Sequence, residues 1–167
     1  MGGGMIPAYL QHQFPSASID IVDLEKDIFP IAFTWFNVVE RPSTRTFVAD
    51  GRRWLNDYKE AQGRYDVVVQ DACAGHPCSM LTVEGLTIIR ERVLAEHGVI
   101  VQNLFGSQVN VLRTYQEVFP SVVLVDTGFS SKIIVSSSEH LPTRQAFLDR
   151  SRLLQFMERG PLYEELL

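Results

Sequence analysis

The stretch Tyr65 to Gly75 constrains the fold most: Tyr-Asp-Val-Val-Val-Gln-Asp-Ala-Cys-Ala-Gly, an apolar run that ends abruptly in a carboxylate and a flexible loop. A strand covered on both faces needs no polar alternation, and the β-branched Val67 to Val69 suit a pleated surface, so the run predicts a buried parallel strand. Open α/β sheets bind ligands in the crevice beyond the carboxyl ends of their strands, which makes Asp71 the first candidate for chemistry. Capping of the loop is its alternative role.

The remaining segments repeat the pattern. Gly2-Gly3-Gly4 opens directly into a helical segment, Met5 to Gln13, with Pro7 in the first turn. Glycines let backbone approach a ligand closely, and the helix start beyond them favours an anionic group, although three glycines alone carry little. Ser18 to Asp23 reads as a short strand, and Asp23 falls where a nucleoside-binding fold places the acid that holds ribose hydroxyls. Asp27 is placed to cap a helix from Ile28 to Phe36 with Ile28, Ala32, Trp35 and Phe36 as its apolar stripe. Thr44 to Ala49 predicts a third strand, ended by Asp50-Gly51, and Arg52 to Ala61 a helix.

Beyond the Tyr65 strand, Thr82 starts a helix to about Glu96, with Gly98 as a left-handed stop. Val99 to Leu104 is another strand and Gln108 to Phe119 a helix. Val122 to Val125 and Lys132 to Ser136 are too close for a helical crossover and predict an antiparallel pair. A last helix runs from Thr143 to about Glu158, stopped by Gly160-Pro161. Strands alternating with helices give a doubly wound, mostly parallel α/β sheet with a closing antiparallel pair.

Composition narrows the function. The 167 residues suit one domain over 1–167, and the formal net charge of -5 with no basic run argues against a nucleic-acid partner. No apolar run reaches the ~20 residues that span a bilayer, and no basic and apolar leader opens the chain, so the expectation is a cytoplasmic protein without a membrane partner. Cys73 and Cys78, with His76 between them, lie too close together for the separated ligand pairs of structural zinc sites; the expectation is a reduced, metal-free pair. His76 and Glu84 flank the candidate site, where solvated loop and helix-start roles are the commoner ones.

An NAD reading fails at position 7, where Pro7 replaces the third glycine of the dinucleotide fingerprint. Taken together, Gly2-Gly3-Gly4, Val22-Asp23-Leu24-Glu25, Ala49-Asp50-Gly51, Tyr65-Asp66 through Asp71, and Gly98 through Leu104 resemble the spermidine synthase family and its methyltransferase-like relatives, a class I methyltransferase-like Rossmann variant. The resemblance implies a small-molecule nucleoside co-substrate, S-adenosylmethionine or decarboxylated S-adenosylmethionine. It implies that Gly2, Gly3 and Gly4 approach the methionine part, that Asp23 holds the ribose, that Asp50-Gly51 meets the adenine, and that Asp71 faces the reacting nucleophile. Dimers are common in that family, so a homodimer is compatible; the acceptor is not implied.

Three features depart from the family. The strand that should precede Gly2, central in that fold, is absent, so the expectation is an N-terminally truncated sheet with a ~10 Å gap, twice the strand spacing. Met5-Ile6-Pro7 follows the glycines where an acid and further glycine are usual. Ala74 stands where aminopropyl-transferring members carry a second acid, which speaks against aminopropyl transfer. The alternative function is a catalytically inactive, truncated member serving as an interaction module.

Overall fold

A computed structural model describes residues 2–58, 65–72, 78–105, 109–126, 128 and 131–150. The chain forms α1 (Met5–Gln13), β1 (Ile19–Asp23), α2 (Ile28–Trp35), β2 (Thr44–Val48), α3 (Gly51–Asp57), β3 (Tyr65–Gln70), α4 (Val83–Ile88), β4 (Leu94–Phe105), α5 (Val109–Val118), β5 (Ser121–Asp126) and β6 (Ser131–Ser137). A 3₁₀ turn, Ser79–Leu81, precedes α4, and residues 144–150 are helical. The remainder of the last expected helix, with Gly160-Pro161, lies outside the described residues.

β1 and β2 pair in parallel, as do β3 and β4, while β6 runs antiparallel to both β4 and β5. The strands form two sheets, β1-β2 and β3-β4-β6-β5. This is the expected α/β architecture with its closing antiparallel pair, and the interruption falls between β1 and β3. Where a parallel crossover is right-handed and helical, β6 reaches β4 only because β5 and β6 form a hairpin that turns back beside it.

The core lies on one face of the larger sheet. α5 presents Val111, Tyr115 and Val118 at helical spacing to Ile100, Leu104 and Ile134, with Leu86, Ile89 and Val93 from the α4 region. Burying a side chain of this size contributes about 1.5–3 kcal/mol. A second set of rings joins α3 to the strands: Trp54 lies 5.6 Å from Phe47, 5.1 Å from Tyr58 and 6.4 Å from Tyr65 between centroids. Val67 and Val69 are half exposed, at 49% and 40%. β3 is therefore covered on one face only, not on both as its apolar run predicts.

Three local expectations are corrected. Asp27 makes no capping hydrogen bond, because its backbone is already α-helical and its side chain cannot reach forward as an extended cap does. In α2, Phe29 and Ala32 are buried while Trp35, 76% exposed, and Phe36 face outward, so of the expected stripe only Ala32 is fully buried. The helix opened by Thr82, whose Oγ1 accepts the Gly85 N–H at 3.1 Å, ends at Val93 through a π-helical turn, Ile89–Val93, and passes straight into β4. Gly98 is no helix stop. It sits inside β4, where a Cβ would lie 2.8 Å from the Tyr65 carbonyl oxygen.

β4 is tied to the segment after β6 by His97 Nδ1 and Glu139 Oε2, 2.7 Å apart and exposed. The Glu139 carboxylate raises the His97 pKa above its ordinary value. A raised histidine contributes stability that is complete below the unfolded value near 6.5 and is lost as pH rises through the folded value. Glu139→Gln is expected to move the His97 midpoint in an NMR titration down toward ~6.5; an unmoved midpoint would exclude the pair in solution. Among the described residues no helix is long and apolar enough to cross a membrane.

Candidate functional site

Each acid singled out in the sequence stands at or just beyond the carboxyl end of a parallel strand. Asp23 closes β1, and its carbonyl accepts the Ala49 N–H at 2.9 Å, which brings the end of β1 beside the end of β2. Burial opposes ionisation of Asp23, yet the hydrogen bonds it accepts, including the Glu25 N–H at 3.0 Å, hold its pKa below the ordinary carboxylate value. It is therefore charged at neutral pH.

Asp50 follows β2 as the N-cap of α3, its Oδ1 accepting the Arg53 N–H at 2.9 Å. Gly51 opens that helix against the Met80 sulfur, 3.6 Å from where a Cβ would stand. Asp71 follows β3, is exposed, and accepts a hydrogen bond from Asn103 Nδ2 at 3.3 Å. β3 and β4 pair through Gln70 and Gln102, so Asn103 is the neighbour across the strand ends. The structure thus groups Asp23 with Asp50 at one sheet and Asp71 with Asn103 at the other.

Gly2 and Gly4 have positive φ, 52° and 74°, a left-handed conformation that costs other residues ~1–2 kcal/mol. Gly4 is the N-cap of α1. A Cβ at Gly2 would meet nothing within 4 Å, whereas one at Gly3 would press on the Phe36 ring at 3.2 Å. Phe36, expected in a helix core stripe, is instead the wall against which the glycine turn rests.

Sequence reasoning also missed a tie between the sheets. Asp20 on β1, with a side chain only 5% exposed, accepts Arg45 Nε at 2.8 Å and Arg45 Nη2 at 2.5 Å, and accepts the Tyr65 hydroxyl from β3. Burial, and then the hydrogen bond to Asp20, raise the Tyr65 pKa. Asn103 could have been found, as a polar residue in register with the strand end that carries Asp71. Asp20 could not, because nothing local links it to a tyrosine 45 positions away.

Beneath the site is a buried polar layer. Gln102 accepts the Tyr115 hydroxyl at 3.3 Å and donates to the Asn103 carbonyl at 2.6 Å. Gln70, 3% exposed, has neither amide atom hydrogen-bonded among the described residues, a cost of about 1–3 kcal/mol until something polar reaches it. Cys78 is disulfide-bonded, which corrects the expectation of reduced thiols. Cys73, Ala74 and His76 lie outside the described residues. Glu84 is exposed, its pKa lowered by its own backbone N–H and by Thr82, which suits a helix-start charge and not a proton carrier.

No family model matches the chain. The polyamine aminopropyltransferase of Vibrio vulnificus strain CMCP6 is 26% identical over 161 residues, covering 92% of this chain and 54% of that protein. The human eEF1A lysine and N-terminal methyltransferase is 25% identical over 134 residues, 72% of this chain and 19% of that protein. The chain thus spans about half the length of the first and a fifth of the second. Human methyltransferase-like protein 13, solved in complex with SAH, superposes with a TM-score of 0.83 at 22% identity, over 96% of this chain and 79% of that one. The fold is that of the superfamily of class I S-adenosylmethionine-dependent methyltransferases and spermidine synthases.

Proposed function

We propose that the carboxyl end of the strands binds an S-adenosyl nucleoside and that the chain acts as a transferase, passing a methyl group to a nucleophile. The observation that carries this is the placement of three acids, Asp23, Asp50 and Asp71, each at the end of its own parallel strand, with the glycine turn leading α1. The residues suit the co-substrate: Asp23 is ionised, Gly2 leaves open space, and the Gln70 amide next to Asp71 has no partner among the described residues. S-adenosylmethionine, when bound, supplies a sulfonium-activated methyl carbon. Asp23 would accept hydrogen bonds from ribose hydroxyls, Asp50 from the adenine amino group, and Asp71, oriented by Asn103, would hold the incoming nucleophile and take its proton. Alignment alone supplies much of such a transfer, so few catalytic side chains are required. Aminopropyl transfer to a diamine is the less favoured chemistry, since Ala74 supplies no second carboxylate.

Charge-assisted hydrogen bonds contribute about 1.5–3 kcal/mol, so Asp23→Ala should weaken 5'-methylthioadenosine binding by about 10–100-fold in calorimetry. Asp50→Asn keeps a capping side chain and should weaken binding while leaving stability unchanged. Undiminished affinity in both variants would overturn the site. The split sheet supports a second reading, an inactive interaction module; it predicts no heat with the nucleoside for the unaltered protein.

A further inference from the structure

We infer that the second face of the larger sheet is a docking surface for the chain's own segment 143–159, laid across the strands as an amphipathic helix. The face is built in register. Val69 pairs with Val101, Val101 with Val135, and Val135 with Val123, so four β-branched side chains form one row across β3, β4, β6 and β5. Val67 and Val125 extend the surface on either side of that row. Ile100, Leu104 and Ile134 serve the core on the opposite face, because successive residues of a strand alternate between faces. No described element buries the valines: Val67, Val69, Val123 and Val125 remain 40–49% exposed. A sheet face of this composition is ordinarily covered by a further layer.

The occupant follows from the chain that leaves this face at its corner. The Leu141 N–H donates to Ser121 Oγ at 3.0 Å, and Ser121 stands in the same cross-strand row as Val67. A helix starts at once: Thr143 Oγ1 accepts the Ala146 N–H at 3.2 Å, and Phe147 on its first turn is 63% exposed. Residues 151–159 lie outside the described residues, and their sequence continues the pattern. At about 3.6 residues per turn, Ala146, Phe147, Leu153, Leu154 and Met157 fall within about 120° of one helix circumference. A helix from Thr143 to Glu158 is ~24 Å long, while four strands ~4.8 Å apart span ~15 Å. The segment therefore crosses the whole row.

The size of the surface favours a tethered occupant over a second copy. Half-exposed valines leave an area on the order of a few hundred Å², below the ~800 Å² per partner of a stable association. A segment anchored at the corner loses no translational freedom on docking, and its effective concentration is on the order of millimolar. Docking requires the helix to turn about the Leu141–Thr143 link until Phe147 faces the sheet, a hinge motion. None of this depends on nucleoside binding.

The test is NMR on the unaltered full chain, labelled at Val, Leu and Met methyls. Cross-peaks are expected from Leu153, Leu154 and Met157 to Val69, Val123 and Val135, and amide exchange over 153–157 should be slowed by about tenfold or more. Leu154→Asp in the segment and Val123→Lys in the sheet should each abolish the cross-peaks and the protection of 153–157, since either leaves a charge facing an apolar surface. The proposal is overturned if the unaltered protein shows no such cross-peaks, or if the segment contacts α1 or α2 instead. It is equally overturned if protection of 153–157 survives Val123→Lys, or if a mixture of differently labelled copies shows the cross-peaks to run between molecules.

Discussion

Asp20→Ala is expected to lower stability by about 2–4 kcal/mol, near the lower end of the cost of removing one member of a buried ion pair because Arg45 is 41% exposed. For a chain of this size each kcal/mol moves the melting temperature by about 2–4 °C, so a thermal scan resolves the change easily. The substitution takes the shared acceptor away from Arg45 and the Tyr65 hydroxyl, and with it a side-chain bond that joins β1 to β3. Tyr65→Phe should cost less, about 0.5–1.5 kcal/mol, since the Asp20 to Arg45 pair survives it. The raised Tyr65 pKa adds a direction: its contribution is complete below the ordinary value near 10 and is lost as pH rises through the folded value. A melting temperature unaffected by Asp20→Ala would mean that the sheets are held together by packing around Trp54 alone.

Gly98→Ala is the second large effect. The added Cβ would stand 2.8 Å from the Tyr65 carbonyl oxygen and 3.0 Å from both the N and O of Ala95. All three are backbone atoms, so no flexible side chain can move aside; β3 or β4 must shift. Overpacking of this kind costs about 1–3 kcal/mol. Urea denaturation should show a lower midpoint with an unchanged slope. A midpoint equal to that of the unaltered protein would show that β4 bends freely at this position.

Much of the fold could be read because its strands are short apolar runs ended by acids or glycine. β3 and the central part of β4 carry consecutive β-branched residues, and β5 and β6 are too close to be linked by a crossover, so their pairing direction followed. Reading failed where a residue's reason was tertiary. Gly98 resembles a helix stop in sequence, but its absent side chain serves the approach of the Tyr65 carbonyl. Trp35 has the size of a core residue, yet the packing of α2 through Phe29 and Ala32 turns it outward. The same divide holds at the site. Asp23, Asp50 and Asp71 were legible by their position after strands, whereas Phe36 beside Gly3, and Asp20 with Arg45 and Tyr65, exist only once distant segments meet.

The position of β6 between β4 and β5 also orders events in time. β5 and β6 lie close together in sequence and meet at Asp126 and Lys132, so this hairpin can close within ~1–10 μs. A lone hairpin is only marginally stable in water, and it gains lasting partners when β6 reaches β4, pairing Val99 with Ser137 across a long intervening chain. Until then β4 offers an unpaired edge carrying Val99 and Val101, the kind of surface that another unfinished chain can capture. Dilute refolding, in which the hairpin of the same molecule arrives before a neighbour does, is the condition that returns this chain to its native pairing with the smallest loss.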